Sequence, residues 1–399
     1  MSATPQPEPT SPPRRVLFAG GGTGGHIYPG LAVAEALCAR WPEAQVLFVG
    51  SADRMEAGII PAHGYPFRAI SVHGLAGRIA PLRRLRSLAE LAVGLPLWQS
   101  LAILRRFRPD VVVGTGGYVC GPVLLAACLL RLPRLSVEQN EVPGFTTRIV
   151  AHLVQAAALV SDSSAQAYRA LAPRRVRTFV VGNPLRRSLL STTREQGLAA
   201  LGLDPGRRTL AVVGGSLGSR PVNRLVVEAL AELAAEPWFV SQVQVLHLTG
   251  RGPNALSLSP EQVKATGIAY RAEPYREDIH NVLAAADLAV GRAGAGFLAE
   301  TAVRALPLVI VPIPNSAGDH QRANARRWAQ AGAAVMLEEG ETTGQELAAV
   351  LRRLLHTAPE ELAVMSQAAR GLARPDAADR VVDLIAGLAA GRPLGADAH

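Results

Sequence analysis

The chain has 399 residues, of which 49% are hydrophobic and 18% are charged, and this composition excludes a mainly disordered protein. A chain of this length predicts two domains, at about 100–200 residues per domain. The formal net charge is +9, and Lys264 is the only lysine beside many arginines. This charge either reflects a GC-rich genome or favours anionic partners such as diphosphates, acidic lipids or nucleic acid.

The cysteines and the chain ends indicate a protein of the reducing cytoplasm. Cys38, Cys120 and Cys128 are too few and too scattered for a disulfide framework or a zinc site. Residues 1–13 are Pro-rich without an apolar segment, which predicts a disordered tail and no secretory signal. The uncharged stretch 111–130 is long enough to span a membrane, but its GTGGY and CGP segments favour a buried strand, a loop and a helix.

Four segments repeat one pattern, in which a short apolar run is followed by a glycine cluster and then by an apolar-periodic stretch of helical length. They are RRVLFAGGGTGGHIYPGLAVAEAL, DVVVGTGGYVCGPVLLAACLL, RTLAVVGGSLGSRPVNRLVVEAL and ADLAVGRAGAGFLAETAVRAL. Continuous apolar strands that alternate with helices are typical of parallel sheets covered on both faces. The sequence therefore predicts an α/β fold of two Rossmann-like, doubly wound parallel-sheet domains that face each other across a cleft.

The segment Gly182-Asn183-Pro184 ends a strand and precedes a polar, helix-like stretch, so we place the domain boundary there. The predicted organisation is a tail over 1–13, an N-terminal domain over 14–183, a C-terminal domain over 184–373, a helix over 374–391 and a tail over 392–399. The amphipathic helix DAADRVVDLIAGLAA either closes the second domain or packs back across the hinge.

The glycine loops between strands and helices predict anion sites, because the backbone N–H groups at a helix start favour phosphate. Gly20, Gly22 and Gly25 satisfy the dinucleotide pattern G-x-G-x-x-G. That pattern also needs an acidic residue at the end of the second strand. Here the strand QVLFVG ends in Gly50 and Ser51, and no acidic residue follows until Asp53. The sequence therefore argues against a nicotinamide or flavin dehydrogenase.

In GRAGAGFLAE, the amides of Ala295, Gly296 and Phe297 start a helix, and Glu300 follows one turn later. A carboxylate there can accept hydrogen bonds from both hydroxyls of a ribose while the amides face a diphosphate. Alternatively, Glu300 is an ordinary acid near a helix start, where the dipole favours it.

A second polar set follows the apolar strand LPLVIVPIP. His320, Gln321 and Asn324 lie there on a loop and a helix start. Amide side chains supply the directional donors and acceptors that sugar hydroxyls need.

Seven motifs together resemble one bacterial family over residues 14–335. They are GGGTGGHIYPGLAVAEAL, GTGGYVCGP, VEQNEVPGFTTR, VGNPLR, VVGGSLGS, GRAGAGFLAE and PIPNSAGDHQRANA. The chain resembles the MurG family of UDP-N-acetylglucosamine:N-acetylmuramyl-(pentapeptide) pyrophosphoryl-undecaprenol N-acetylglucosamine transferases. This resemblance implies a fold of the GT-B type. It also implies transfer of GlcNAc from UDP-GlcNAc to the lipid-linked muramyl-pentapeptide, which completes lipid II in peptidoglycan synthesis.

The resemblance also implies roles for single residues in the first half. It places Thr23, Gly24 and Gly25 beside the sugar and the diphosphates. Asn140 in EQN resembles the amide that contacts GlcNAc, and Arg186 in GNPLR resembles a cation near the donor. Gly116 and Tyr118 of GTGGY are secondary candidates.

In the second half, the resemblance implies that Ser216 contacts a phosphate and that Tyr275 lies beside the uracil. The resemblance also implies that Gln321 addresses the sugar hydroxyls, with His320 and Asn324 as secondary candidates. The nucleotide loop would consist of Ala295, Gly296, Phe297, Leu298, Ala299 and Glu300.

The chain departs from the family pattern in the second half. Leu217 and Ser219 stand where Gln and Ala are common, which weakens a side-chain role in that loop and leaves its backbone contacts possible. Ala293 stands where Ser is frequent, and Gly296-Phe297 replace a bulky residue and a threonine. These departures affect the donor contacts more than the type of reaction.

No Asp-x-Asp pair for a divalent ion occurs in the sequence, so we expect a metal-independent and cofactor-free reaction. Helix starts and arginines would take up the charge of the departing UDP. We expect one inverting displacement, in which the C4 hydroxyl of the acceptor attacks the anomeric carbon. His26 is the candidate base because an imidazole ordinarily titrates near 6.5. Alternatively, His26 caps its helix or contacts the acceptor diphosphate.

The segment from Val72 to Asp110 combines arginines with apolar residues, as interfacial binding sites do. The residues concerned are Leu75, Arg78, Ile79, Arg83, Arg84, Arg86, Trp98, Arg105 and Arg106. An anionic membrane surface is the expected partner, and the alternative is a solvated basic helix face. Aromatic residues do not interleave with these arginines, which argues against nucleic acid. The expected location is the cytoplasmic face of the cell membrane, as a peripheral protein.

Three other functions remain open at this stage. A UDP-GlcNAc 2-epimerase would share the donor without needing a lipid acceptor. A UDP-sugar transferase with another lipid or natural-product acceptor would use the same donor loop. A nucleotide-sugar binder without catalysis is the non-enzyme alternative.

Overall fold

A computed structural model describes residues 12–72, 94–172, 176–215, 217–314, 319–392 and 394. The chain forms two compact units. One consists of Met1–Arg186 with Asp376–His399, and the other consists of Arg187–Pro375. Each unit is built around one parallel sheet, which confirms the predicted pair of Rossmann-like α/β domains.

The first domain alternates strands and helices along most of its length. Its elements are β1 (Arg15–Gly20), α1 (Gly24–Arg40), β2 (Gln45–Ser51), α2 (Glu56–Ala62), β3 (Phe67–Ile70), α3 (Leu95–Phe107), β4 (Val111–Gly116), α4 (Cys120–Leu129), β5 (Arg134–Val137), α5 (Phe145–Val150), β6 (Ala156–Leu159), α6 (Asp162–Leu171) and β7 (Arg177–Val180). The uncharged stretch 111–130 forms β4, a loop and α4, as its GTGGY and CGP segments predicted.

The seven strands of this domain form one parallel sheet in the order β3-β2-β1-β4-β5-β6-β7. Strand β1 shows why its sequence is apolar throughout, since Val16 and Phe18 enter the core on one face while Leu17 and Ala19 enter the core on the other. The strands that follow β1 in sequence are added first on one side of it (β2, β3) and then on the other (β4 to β7), so the order reverses between β1 and β4. In open α/β sheets, ligands bind beyond the carboxyl ends of the strands at such a switch point.

The second domain repeats this plan with shorter strands. Its elements are α7 (Arg187–Ser191), α8 (Arg194–Leu201), β8 (Arg208–Val213), α9 (Arg220–Leu233), α10 (Pro237–Gln242), β9 (Val243–Leu248), α11 (Pro260–Thr266), β10 (Ala269–Glu273), α12 (Ile279–Ala285), β11 (Leu288–Gly291), α13 (Ala295–Val303), β12 (Leu308–Ile310), α14 (His320–Gln330), β13 (Ala334–Met336), α15 (Gly344–Arg352) and α16 (Glu360–Leu372). The sheet order is β10-β9-β8-β11-β12-β13, so the switch point lies between β8 and β11.

The last helix, α17 (Ala377–Ala389), belongs to the first domain although it follows the second in sequence. It packs against α1, and Val381, Val382 and Ile385 enter the same core as the residues of α1. Arg40 of α1 forms ion pairs with the carboxylates of Asp379 and Asp383 on α17.

Within the described ranges, the helices are all too short or too polar to cross a membrane.

Candidate functional site

The first glycine loop, between β1 and α1, lies against the second, between β4 and α4. The Gly21 N–H donates to the Gly116 carbonyl at 3.3 Å. A Cβ atom at Gly117 would lie 2.2 Å from the carbonyl oxygen of Gly21, and φ at Gly117 is +82°. A side chain at Gly117 would therefore be strained and would also push the two loops apart.

Glu56, the first residue of α2, is fully buried against the first loop. Its carboxylate accepts hydrogen bonds from the N–H groups of Gly22 at 2.9 Å and Ser51 at 3.0 Å. The loop amide at Gly22 is therefore used by the protein's own carboxylate. Because a second anion at this amide would meet that negative charge, phosphate binding is disfavoured at Gly22. The sequence analysis did not identify Glu56. The only feature of the sequence that points to it is that an acidic residue occurs shortly after the second strand.

His26 lies in the first turn of α1 and is partly exposed. Its Nδ1 lies 3.3 Å from Oε1 of Gln139, and its backbone carbonyl accepts a hydrogen bond from Oγ1 of Thr115 at 2.8 Å. A Cβ atom at Gly116 would lie 2.4 Å from Nδ1 of His26. The structure thus brings His26 and Gly116 together. Gln139 and Thr115, which the sequence did not single out, hold this pair.

Asn140 follows β5, and its neighbour Glu138 determines its orientation. The buried carboxylate of Glu138 accepts from the side-chain amide of Asn140 at 3.0 Å and from its backbone N–H at 3.1 Å. The other carboxylate oxygen accepts from the Gly144 N–H at 3.1 Å. Because the NH₂ group of Asn140 points to Glu138, its orientation is defined before any ligand binds.

Arg186 lies beside α1, because its guanidinium stacks on the ring of Tyr28 at 4.6 Å from the centroid. A Cβ atom at Gly24 would lie 3.3 Å from the same ring. The Nε atom of Arg186 is buried with no hydrogen-bond partner among the described residues. The structure therefore places Arg186 near the start of α1, where Thr23 is the N-cap residue and Gly25 is exposed. Tyr118, on the second loop, is also exposed.

Cys120 lies beneath both loops of the first domain. Its thiol donates to the Ala19 carbonyl at 3.0 Å and accepts from the Gly116 N–H at 3.1 Å. Burial raises the pKa of the Cys120 thiol to about 12. The thiol is therefore protonated at neutral pH and links β1 to β4, and it does not act as a nucleophile.

In the second domain, the loops after β8 and β11 are joined by a buried arginine. Arg292 donates to Oγ of Ser219 at 2.5 Å and to the Val311 carbonyl at 2.9 Å, and it forms an ion pair with Glu339. Burial lowers the pKa of the Arg292 guanidinium, while Glu339 opposes that shift. Ser219 also caps α9 through the Val222 N–H. The departure at Ser219 thus has a structural role, whereas Leu217 is exposed. Ser216 lies outside the described residues.

Helix α13 begins after Gly294, which offers no side chain as a cap. A Cβ atom at Gly296 would meet open space, and the Phe297 ring turns back over Gly291. Ala295, Ala299 and Glu300 are partly exposed. Leu298 is buried and its N–H bonds to the Gly294 carbonyl, so its side chain belongs to the core.

Helix α14 holds the loops around α13 in place. Asn324 is buried and donates to the Ala293 carbonyl at 3.0 Å. Oε1 of Gln321 accepts from the Ile313 N–H at 3.1 Å. Both amides therefore contact the backbone of loops near the switch point, and His320 is the first residue of the helix.

Tyr275 follows β10, and the guanidinium of Arg251 lies 4.4 Å from its ring centroid. Arg251 belongs to the loop after β9, which also contacts the loop after β8. A Cβ atom at Gly250 would lie 2.0 Å from Cα of Gly218. The loop after β9 thus contacts both the ring of Tyr275 and the backbone of Gly218, which follows Leu217.

Buried polar groups support the loop after β9. Asn223 donates to the carbonyls of Thr249 and Asn254 at 2.8 and 2.9 Å and accepts from Nε2 of His247 at 3.0 Å. Nδ1 of His247 lies 2.8 Å from the Tyr270 hydroxyl. Burial lowers the pKa of His247 to about 4, so the imidazole is neutral at physiological pH.

Groups of three or more metal-ligating side chains are absent from the part of the chain that the structure describes.

Two family models match the chain. The glycosyltransferase family 28 N-terminal domain matches residues 16–159, and the family 28 C-terminal domain matches residues 209–381. Each matched segment covers the switch point of the sheet in its own domain, together with the glycine loops around that point.

Curated relatives match over nearly their whole length. A UDP-N-acetylglucosamine:N-acetylmuramyl-(pentapeptide) pyrophosphoryl-undecaprenol N-acetylglucosamine transferase of Desulforudis audaxviator is 39% identical, covering 94% of this chain and 98% of its own. The enzyme of that name from Symbiobacterium thermophilum is 42% identical, covering 94% and 96%.

Solved structures share the fold. MurG of Acinetobacter baumannii matches with a TM-score of 0.68 and 28% identity, covering 94% of this chain and 99% of that one. A putative UDP-N-acetylglucosamine 2-epimerase from Listeria monocytogenes also has a TM-score of 0.68, covering 96% and 99%. Its identity is 16%, so it shows likeness of fold alone.

Proposed function

This chain belongs to glycosyltransferase family 28 and, within it, to the UDP-N-acetylglucosamine:N-acetylmuramyl-(pentapeptide) pyrophosphoryl-undecaprenol N-acetylglucosamine transferases, and from that membership we propose its reaction. The protein transfers GlcNAc from UDP-GlcNAc to the C4 hydroxyl of undecaprenyl-pyrophosphoryl-MurNAc-pentapeptide, and the product is lipid II. The observation that carries this proposal is the match of 39–42% identity over almost the full length of relatives named for that reaction.

The proposed chemistry is one inverting displacement without a metal ion. The acceptor oxygen forms a bond to the anomeric carbon while the bond from that carbon to UDP breaks, and UDP leaves with the electron pair. His26 takes the proton of the acceptor hydroxyl, a role supported by its place in the first turn of α1 beside Gly116, the last residue of β4. Contact with the acceptor diphosphate is the alternative role of His26.

On the donor side, we assign the diphosphate to the start of α13. Gly296 supports this assignment, because the space beside it is open and its backbone can approach a ligand closely. Glu300 would accept from the ribose hydroxyls, Tyr275 would lie beside the uracil, and Ser216 would contact a phosphate.

Arg186 would offset charge on the donor, because its guanidinium is held beside α1 by Tyr28. Asn140 would contact the GlcNAc unit with an amide that Glu138 orients. Gln321, whose Oε1 accepts from the Ile313 N–H, would address sugar hydroxyls.

We further propose that the first domain contacts an anionic membrane surface, on the cytoplasmic face of the cell membrane. Large apolar side chains are exposed on three helices of which α4 packs against both α3 and α5. These side chains are Leu95 and Trp98 on α3, Leu125 and Leu129 on α4, and Phe145 and Ile149 on α5. We call this set the apolar face.

Exposed arginines lie on these three helices or directly after them. They are Arg105 and Arg106 on α3, Arg131 after α4 and Arg148 on α5. Apolar side chains beside cations are what an acidic lipid surface binds. The sequence had indicated Trp98, Arg105 and Arg106, whereas the residues of α4 and α5 emerged only from the structure. Leu75, Arg78, Ile79, Arg83, Arg84 and Arg86 lie outside the described residues.

The experiment that tests the reaction combines the purified full chain, UDP-GlcNAc and a short-chain analogue of the lipid-linked muramyl-pentapeptide. We expect acceptor-dependent release of UDP and formation of the disaccharide product, with no loss of rate in EDTA. Formation of an epimerised sugar without acceptor, or binding of UDP-GlcNAc without turnover, would contradict the proposal.

The role of His26 is tested in the same assay. We expect His26→Ala to lower kcat by about 10²–10⁴-fold, the usual contribution of a general base. The matched control is His152→Ala, which removes an exposed histidine of the same domain and should keep the wild-type rate. If His26→Ala retains most of kcat, His26 is not the base.

A further inference from the structure

The side-chain amide of Gln139 has only one orientation that its neighbours permit. Gln139 directly follows Glu138 at the end of β5 and is 3% exposed. Its Nε2 donates to the carbonyl oxygens of Thr115 at 2.9 Å and Val137 at 3.0 Å, so both amide hydrogens are used. The reversed orientation would place Oε1 against two carbonyl oxygens and leave all three acceptors without a hydrogen.

This orientation determines which nitrogen of His26 carries the hydrogen. Oε1 of Gln139 lies 3.3 Å from Nδ1 of His26, and an amide oxygen can only accept. Nδ1 must therefore be the donor. Because a neutral imidazole carries one ring hydrogen, the lone pair lies on Nε2.

The ends of β4 and β5 hold the imidazole on more than one side. Thr115 accepts from Gln139 through its carbonyl and donates to the His26 carbonyl through its hydroxyl, at 2.9 and 2.8 Å. Gly116 lies against the ring where any Cβ atom would overlap Nδ1. One strand end thus supports both the imidazole and the amide that orients it.

We propose that Gln139 is a positioning residue that holds His26 in the tautomer with hydrogen on Nδ1, so that Nε2 takes the proton from the acceptor hydroxyl. This inference rests on the proposed transferase function. As the new glycosidic bond forms and UDP leaves, the hydroxyl proton moves to Nε2 and the ring becomes an imidazolium. The bond from Nδ1 to Gln139 persists through that step, and the imidazolium then releases its proton to water.

The neutral amide distinguishes this arrangement from one in which a carboxylate faces the histidine. Gln139 fixes the tautomer and the ring orientation without placing a negative charge beside Nδ1. A group that faces the second ring nitrogen generally controls both features in histidines that bind metals or protons.

The first test reads the tautomer by NMR of the full chain with ¹⁵N-labelled histidine, with the signal of His26 identified by its loss in His26→Ala. At a pH where the ring is neutral, we expect Nδ1 to be protonated and Nε2 to be unprotonated in the wild type. In Gln139→Met, which keeps the length of the side chain and removes the acceptor, we expect the signals to shift towards hydrogen on Nε2. A wild-type His26 with its hydrogen on Nε2 overturns the proposal, as does an unchanged tautomer in the variant.

The matched control is Gln155→Met. Gln155 accepts from the Arg134 N–H at the opposite end of β5, so this variant also removes an amide bond to backbone. We expect the control to keep the tautomer of the wild type. A shift as large as that in Gln139→Met would mean that general loosening of the domain causes the change, and it would overturn the specific role of Gln139.

The second test is kinetic. In Gln139→Met we expect kcat to fall at least tenfold, with the KM for UDP-GlcNAc changed less than twofold. A tautomer shift with no loss of kcat overturns the positioning role. Because the wild-type tautomer is read without turnover, it remains informative if the transferase function fails. Conversely, if the chain is the transferase, a wrong tautomer refutes this inference alone.

Discussion

Single glycines determine how closely the loops approach at both switch points. The sequence predicted glycine clusters as phosphate loops, and the structure shows that several of these glycines are needed for packing within the protein. Gly117 allows contact with Gly21, and Gly250 allows contact with Gly218. Gly296, by contrast, has no atom within 4 Å of the position that a Cβ atom would take.

Gly116→Ala tests the contact between a loop glycine and the candidate base. The new methyl group would lie 2.4 Å from Nδ1 of His26, on a residue whose φ of +107° disfavours alanine. We expect kcat to fall at least tenfold as the imidazole is displaced. The measurement is steady-state kinetics with the soluble acceptor analogue. Gly58→Ala, in α2 with open space around its Cβ position, is the control and should keep the wild-type kcat.

The lowered pKa of His247 predicts how the stability of the second domain depends on pH. Above about pH 6.5 the imidazole is neutral in both the folded and the unfolded protein. As the pH falls below that value, the unfolded chain binds a proton, whereas the folded chain does not until about pH 4, the lowered pKa of His247. The free energy of unfolding should therefore decrease by roughly 3 kcal/mol between these two values.

Urea denaturation between pH 4 and 7.5 measures this loss. In His247→Gln, the decrease in stability over that range should be smaller than in the wild type by the same amount. His152→Gln removes an exposed histidine and should leave the wild-type pH dependence. Equal slopes for wild type and His247→Gln would refute the assignment.

Among the elements, α17 shows how a segment distant in sequence completes a domain. The helix follows the second domain yet covers the face of the first sheet that carries α1. Its amphipathic pattern was evident in the sequence, which left open whether it closes the second domain or packs elsewhere. Periodicity reveals that a helix has an apolar face, but it does not specify the partner of that face.

Ile385→Ala tests the contribution of this helix. Ile385 is fully buried in the core that α17 shares with α1, so the substitution leaves a cavity. We expect the free energy of unfolding of the first domain to fall by about 2–5 kcal/mol. Chemical denaturation measures the change, with Ile149→Ala, an exposed isoleucine of the same domain, as the control. A loss below about 0.5 kcal/mol would show that α17 does not support this domain.

For the whole molecule, the charge of +9 and the apolar face predict where the protein binds. Co-sedimentation should show stronger binding to vesicles with acidic lipid than to zwitterionic vesicles, and added salt should weaken it. The double substitution Phe145→Ser and Ile149→Ser should reduce binding at least fivefold. Val364→Ser alters an exposed apolar residue of the second domain and should bind as the wild type does. Equal binding to both kinds of vesicle would contradict membrane contact through this face.

The sequence by itself determined the α/β class, the two parallel sheets and the loops that carry glycine, because strand and helix periodicity and glycine clusters are local features. The family followed from motifs that are also local. The structure decided which side chains support those loops. Glu56 and Gln139 bond to Gly22 and His26, at separations of 34 and 113 residues, and Arg292 bonds to Ser219 at a separation of 73. No local pattern encodes such pairs, since they form only when parallel strands bring their carboxyl ends to one edge of a sheet.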